Sequence, residues 1–181
     1  MAATIIINRL TSTGPTLTAI TSGNTRASTS DNPYTTETLN PIPIPGAGTK
    51  YSFWVVTRLE STVAPVGTVN ALKWFTDGTD STGTGVGVKA ADASNYDQAP
   101  GTPGDTGTEL TVANYGNGTT DLNAAPLDAF SFDSGSPLSV TGSTTGTGEF
   151  GDRVVYQFDV GTTAGAGTTT SETITWQYDE T

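Results

Sequence analysis

The chain has 181 residues, no cysteine, no histidine and a formal net charge of −11 with only seven basic residues. It therefore has no disulfide framework, no thiolate zinc site and no serine–histidine or cysteine–histidine catalytic pair. Binding to a nucleic-acid backbone needs clustered lysine and arginine, which this composition does not supply. We expect no nucleic-acid partner.

Threonine, serine and glycine dominate the chain, with 37, 14 and 22 residues. Threonine is β-branched and suits half-buried strands, whereas serine and glycine favour turns. A chain of this length buries roughly 70% of its extended surface on folding, which is enough for one core. We therefore predict an all-β protein: a single β-sandwich or jelly-roll-like domain of eight to ten short strands with long loops rich in threonine, glycine and serine.

Residues 1–21 are predicted to form an N-terminal strand or arm, built around Ile5, Ile6 and Ile7. This apolar run is too short to span a membrane and follows no basic segment, so we expect no signal peptide and no membrane partner. Two interpretations fit it equally. It is an ordinary first strand, or an extended arm that adds to the sheet edge of a neighbouring chain.

Residues 22–50 are predicted to form an extended loop followed by a proline-rich strap. The polar stretch 22–41 is long for a loop in a compact domain unless it binds something. In the run Pro41, Ile42, Pro43, Ile44 and Pro45, each proline fixes its own φ and keeps the preceding residue extended. The strap is therefore a stiff lead-in to the next strand, or a segment that binds a partner.

Residues 51–181 are predicted to form the body of the sandwich. The stretch 51–60 is apolar on both faces at its centre, as expected for a central strand. The stretch 68–76 and the two C-terminal stretches 152–160 and 173–178 also show the alternation typical of strands. Shorter strands are predicted at 109–113 and 129–132, among others.

The carboxylates offer only weak candidates for chemistry. Asp77-Gly78-Thr79-Asp80 resembles part of a calcium loop but lacks the rest of that motif, and a turn is the favoured interpretation. A glycosidase needs two carboxylates across a cleft, and nothing in the sequence fixes such a pair among those near aromatic strands. Those carboxylates are Asp152, Asp159, Glu172, Asp179 and Glu180. We predict no enzymatic activity, no catalytic residue, no metal site and no cofactor.

Three tryptophans, Trp54, Trp74 and Trp176, lie in predicted strands. Such rings can stack on sugars when they line a concave sheet, but strand tryptophans at alternating positions more often belong to the core. Asn117-Gly118-Thr119 fits the glycosylation pattern and is interpreted as a turn. The core interpretation is favoured, and carbohydrate binding stays open as an alternative.

Four segments together carry a resemblance to a class of protein. They are PIPIPGAGTKYSFWVVTRL (41–59), VNALKWFTDGT (69–79), GSPLSVTGSTTGTGEFGDRVVYQ (135–157) and ETITWQYDET (172–181). In general character they resemble small, β-rich virion structural proteins of tailed bacteriophages and prophages. The resemblance covers most of the chain and brings no functional residue with it.

This resemblance implies a non-enzymatic virion structural protein, and first of all a capsid decoration, or cement, protein. Such a protein is made in the host cytoplasm and sits on the capsid exterior, with the major capsid protein or other virion proteins as partners. We expect a homo-oligomer, for which a trimer is one form. The expected interface consists of Ile5, Ile6 and Ile7 together with Pro41, Ile42, Pro43, Ile44 and Pro45. The alternatives are a tail, baseplate or fibre-associated protein, and a carbohydrate-binding or adhesion domain.

Overall fold

A computed structural model describes residues 2–21, 25–32, 40–116 and 121–181. Strands make up 42% of the described residues and helix 2%. The strands are β1 (Thr4–Thr11), β2 (Thr16–Ala19), β3 (Thr49–Tyr51), β4 (Val55–Val63), β5 (Val69–Phe75), β6 (Val86–Ala93), β7 (Gly101–Thr102), β8 (Thr106–Gly107), β9 (Leu127–Asp128), β10 (Leu138–Ser139), β11 (Gly148–Gly161) and β12 (Thr175–Glu180). The prediction of an all-β protein is confirmed.

Two antiparallel sheets pack together as a sandwich. The larger sheet has the order β2-β1-β4-β11-β6-β9, and β3 pairs with β11 beyond the end of β4. The smaller sheet has the order β10-β5-β12, and β7 and β8 form a separate two-stranded hairpin. The larger sheet is organised around β11, which has 14 residues and partners on both sides. The described residues thus form twelve strands, four of them only two residues long, against the eight to ten predicted.

The main core lies between the two sheets. Tyr156 and Trp74 are 4% and 0% exposed, and their ring centroids are 6.4 Å apart across the interface. Burying a large apolar side chain stabilises a fold by about 1.5–3 kcal/mol, so this layer provides much of the stability. Its buried members are Val55, Leu59, Val69, Leu72, Trp74, Val88, Ala90, Ala129, Val140, Phe150, Val154 and Tyr156.

A second core covers the opposite face of the larger sheet. Val56 and Val155 point to this face, while their neighbours Val55 and Val154 point to the first core. Loop residues complete the layer: the rings of Trp54 and Tyr115, for example, have centroids 4.9 Å apart. The apolar character of both faces of 51–60 therefore indicated correctly a strand that is buried on both sides.

Two predicted strands are wrong. Residues 109–113 form no strand because their backbone groups bond elsewhere: the Leu110 N–H donates to the Gln157 Oε1 atom (2.6 Å), and the Thr111 carbonyl accepts from the Tyr115 N–H (3.0 Å). Residues Ala129–Ser131 form a short 3-10 helix, because the Asp128 carboxylate accepts from the Phe130 N–H (3.0 Å) and caps its first turn.

The two C-terminal stretches are strands, as predicted, but they do not pair with each other. β11 belongs to the larger sheet and β12 to the smaller one. Among the described residues, no helix has the length and apolar character needed to cross a bilayer. The N-terminal segment belongs to the same sandwich as the body, since β1 pairs with β4 along seven residues.

Candidate partner interface

The proline-rich strap, residues 41–45, runs along the protein without joining a sheet. Its start is fixed by Thr29, whose N–H and hydroxyl donate to the Asn40 carbonyl (2.9 and 3.1 Å). Pro45 is buried, whereas the side chain of Ile44 is 42% exposed. The strap is therefore held at both ends and presents an apolar side chain to solvent.

The β7–β8 hairpin packs next to Thr29, the residue that holds the start of the strap. The Gly104 N–H donates to the Thr29 hydroxyl (3.0 Å), and Lys50 forms an ion pair with Asp105 (2.5 Å). Gly107 packs so closely that a Cβ atom there would lie 2.1 Å from the Ser52 carbonyl oxygen. These contacts fix the hairpin to Thr29, which holds the start of the strap, and to the end of the larger sheet formed by β3.

Beneath this end lies a buried glutamine, Gln157, which is 2% exposed. Its Oε1 atom accepts from the Leu110 N–H (2.6 Å), and its Nε2 atom donates to the Ser52 and Thr108 carbonyls (2.7 Å each). Thr108 also accepts from the indole N–H of Trp54 (2.9 Å). The Gln157 side chain therefore joins β11 to two loops, the one that contains Ser52 and the one that contains Thr108 and Leu110.

The residues Ile5, Ile6 and Ile7 lie in β1, opposite Ser61, Glu60 and Leu59 of β4. Ile5 and Ile7 pack against the main core, and Ile6 points to the other face. The backbone of Ile7 is also engaged on its other side, since its N–H donates to the Thr21 hydroxyl (2.6 Å) and its carbonyl accepts from the Ile20 N–H (2.8 Å). An arm formed by this segment would have to give up these contacts; its contact with a neighbouring chain stays a prediction.

Exposed apolar side chains nevertheless lie beside Ile5, in the turn between β4 and β5. Val66 is 79% exposed and Val63 is 36% exposed. The turn is fixed by the Glu180 carboxylate, which accepts from the Val66 N–H (3.3 Å) and from the Ala3 N–H (3.0 Å). We call Ala3, the turn 63–67 and Glu180 the terminal end. The sequence signal for this surface was the apolar turn Ala64-Pro65-Val66-Gly67, which the predictions did not use.

The two candidate regions lie at opposite ends of the larger sheet. Ser61, opposite Ile5, lies six positions along β4 from Val55. Tyr156, opposite Val55, lies three positions along β11 from Asp159, which is opposite Tyr51. Nine strand residues correspond to about 30 Å. The predicted interface residues therefore form two separate groups at opposite ends of the larger sheet, and their contact with a partner stays a prediction.

The acidic turn at 77–80 is explained by local hydrogen bonds. The Asp77 carboxylate accepts from the Thr79 N–H (2.8 Å), and the Asp80 carboxylate accepts from the Thr82 N–H (2.9 Å). These are the contacts of Asx turns. Within the described ranges, no group of three or more acidic side chains could hold a metal ion. The interpretation as a turn is confirmed.

The carboxylates near aromatic strands are spread over the molecule. Glu172 accepts from the Ser81 N–H (2.8 Å), Asp152 accepts from the Asn123 side chain (2.9 Å), and Glu180 belongs to the terminal end. Burial raises the pKa of the Asp159 carboxyl group. The positive charge of Lys89 acts to lower this pKa, and the negative charge of Glu109 acts to raise it. Among the described residues, Asp152, Glu172 and Glu180 thus accept structural hydrogen bonds, and the Asn123 side-chain nitrogen that contacts Asp152 also donates to Asp92 (2.5 Å). The absence of a catalytic pair stays a prediction.

Two of the three tryptophans belong to the interior. Trp54 and Trp74 are 1% and 0% exposed, and only Trp176 is half-buried. A cavity of about 20 Å³ lies between Trp74, Tyr156 and Phe158, with room for about one water molecule. The interpretation of Trp54 and Trp74 as core residues is confirmed, so neither ring can stack on a sugar. The motif Asn117-Gly118-Thr119 and half of the predicted loop 22–41, namely residues 22–24 and 33–39, lie outside the described residues.

The fold and the contact regions define an all-β sandwich with two exposed apolar ends. Comparison with family models, with curated proteins and with solved structures gave no match.

Proposed function

We propose that this protein is a non-enzymatic virion structural protein, and specifically a capsid decoration protein on the outside of a tailed-phage head. The observation that carries the proposal is the pair of exposed apolar side chains, Ile44 on the strap and Val66 at the terminal end, which lie toward opposite ends of the larger sheet. A body with two separate contact regions can bridge two neighbouring subunits. The resemblance of the four sequence segments supports the same class.

In the proposed mechanism, each copy of the protein stabilises the capsid by the free energy of its contacts with neighbouring capsid subunits. Each copy would bury the strap on one subunit and the terminal end on the next, and symmetry repeats that contact around the particle. The contact regions need to be stiff, since ordering a mobile segment on binding costs free energy. The bonds from Thr29 to Asn40 and from Glu180 to Val66 supply this stiffness in the free protein.

The charge of the protein fits an external position. A net charge of −11 keeps the protein soluble and disfavours contact with the packaged nucleic acid. A position inside the capsid would place this charge against phosphate groups. The carbohydrate-binding alternative has less support, because Trp54 and Trp74 are buried.

Mass spectrometry of purified phage particles, followed by electron cryo-microscopy, tests the proposal. We expect a copy number comparable to that of the major capsid protein, with density outside the shell. A count of a few to some dozens would favour a tail, baseplate or fibre component instead. Absence from particles would overturn the virion proposal.

Variants of the exposed apolar residues test the proposed contacts. Ile44→Asp and Val66→Asp each place a charge in one contact region, and we expect each to reduce binding to particles that lack the protein at least tenfold. Leu127→Asp is the matched control, since Leu127 is 54% exposed on β9, away from both regions. Equal binding by all three variants would contradict the two-region arrangement.

A further inference from the structure

The sheets of this protein end in strands of very different length. The larger sheet ends in β2, with four residues, and β9, with two; the smaller sheet ends in β10, with two residues, and β12, with six. Short edge strands are one way in which proteins avoid pairing with other chains. β12 is the exception, and it contains neither proline nor lysine.

The direction of the backbone groups of β12 follows from its partner β5. Thr181 exchanges both backbone hydrogen bonds with Thr68 (2.9 and 3.0 Å), so the groups of Thr181 face β5. The pairing shifts register between Gln177 and Asp179, so the direction at Gln177 is fixed separately. The Leu72 carbonyl accepts from the Val140 N–H on the β10 side, so the groups of Lys73 face β12 and those of its partner Gln177 face β5. The groups of Trp176 and Tyr178 therefore face the free edge. Within the described part of the chain, no partner is found for the edge-facing N–H and C=O groups of Trp176 and Tyr178.

The side chains along this edge leave the backbone accessible. Gln177 and Asp179 are exposed on the outer face, whereas Trp176 and Tyr178 pack against the main core from the inner face. A strand that approached the edge in the plane of the sheet would therefore meet unpaired backbone groups without displacing a core side chain. This is the geometry of β-strand addition.

We infer that β12 pairs antiparallel with β12 of a second copy of this chain, across a two-fold axis at Gln177. In this register Trp176 and Tyr178 of one copy exchange hydrogen bonds with Tyr178 and Trp176 of the other, which gives four backbone bonds. The inference concerns the protein in solution and does not rest on the proposed function.

The sequence of the edge is complementary to itself in this register. Thr175 stands opposite Asp179, Gln177 opposite Gln177, and the aromatic rings of positions 176 and 178 opposite each other. No like charges meet, and such cross-strand pairs stabilise a sheet by about 0.2–1 kcal/mol each. Lys73, which lies opposite Gln177 on β5, adds a positive charge near the junction of two acidic copies. A second copy therefore fits this edge, as an isologous contact requires.

Cysteine cross-linking tests both the contact and its register. The chain has no cysteine, so Gln177→Cys introduces a single thiol. Directly opposite residues at a non-hydrogen-bonded position have Cα atoms about 4.5 Å apart, which a disulfide can bridge. Ser139→Cys is the matched control, because Ser139 is exposed on β10 and lies opposite Lys73 on the other side of β5.

We expect the unmodified chain of 18.5 kDa to sediment as a dimer, and Gln177→Cys to form a covalent dimer at least tenfold faster than Ser139→Cys. Gln177→Lys, which opposes two lysines on the axis, should weaken the dimer at least tenfold without changing the melting temperature of the monomer, measured at concentrations below those at which the dimer forms. A monomer at all concentrations, equal cross-linking of both cysteine variants, or a trimer that Gln177→Cys does not cross-link would each overturn the inference.

Discussion

The buried glutamine beneath the strap allows a quantitative test of how the loops are held. Gln157→Leu keeps a side chain of similar length but removes all three of its hydrogen bonds. The Thr108 carbonyl keeps its bond from the Trp54 indole, whereas the Leu110 N–H and the Ser52 carbonyl lose the only partners that they have among the described residues. Each buried group without a partner costs about 1–3 kcal/mol, so for these two groups we expect a loss of about 2–6 kcal/mol.

Denaturant unfolding monitored by circular dichroism measures this loss. We expect the midpoint to fall while the slope with denaturant concentration stays the same, because the folded architecture is retained. Ser139→Leu is the control, since Ser139 is exposed on β10 and lies outside the proposed dimer contact, and its effect should stay within about 0.5 kcal/mol. A loss below about 1 kcal/mol for Gln157→Leu would refute the conclusion that this residue joins β11 to the loops.

Three further predictions follow from the packing. Gly107→Ala places a Cβ atom against the Ser52 carbonyl and should cost about 1–3 kcal/mol, measured by the same unfolding experiment, whereas Gly46→Ala, with open space around it, should cost much less. Burial raises the pKa of Tyr156 to about 12, above its unfolded value of about 10, so stability that is fully present below pH 10 should be lost as the pH rises towards 12, and Tyr156→Phe should reduce that dependence in alkaline unfolding curves. Glu180→Ala should accelerate hydrogen exchange at Ala3 and Val66 while leaving exchange in β11 unchanged; equal rates in the two proteins would contradict the role given to Glu180.

The strands with the clearest alternation were predictable because one physical cause dominates them. Val55 and Val56 point to opposite cores, and a sequence that is apolar on both faces has few stable positions outside the middle of a sandwich. The same holds for β11, where Val154 and Val155 divide between the two cores. Local pattern therefore identified the central strands, but it could not give their order, which depends on pairings between residues far apart in sequence.

The site was less predictable because the type of a polar residue does not indicate which group it will form a hydrogen bond with. Gln157 occupies a polar position in an alternating strand, where a solvent-facing side chain is the ordinary expectation, yet it is buried by loop groups about 50 and 105 residues away. Arg9 is similar: it is 1% exposed, and its Nη1 atom donates to the Arg26 carbonyl (2.8 Å). Such contacts are set by loop positions, which carry no periodicity from which to infer them.

The hydrogen bond from the Ala3 N–H to the Glu180 carboxylate brings the start of β1 close to the end of β12, so the two ends of the chain are near each other. A short linker between residues 2 and 181 would join them, and new ends could then be opened in the exposed stretch 165–171 with little loss of contact. In the natural order, a domain fused to either terminus would emerge beside Val66, toward the opposite end of the larger sheet from the strap. A label or a fused domain can therefore be attached at the terminal end while the strap stays free to bind.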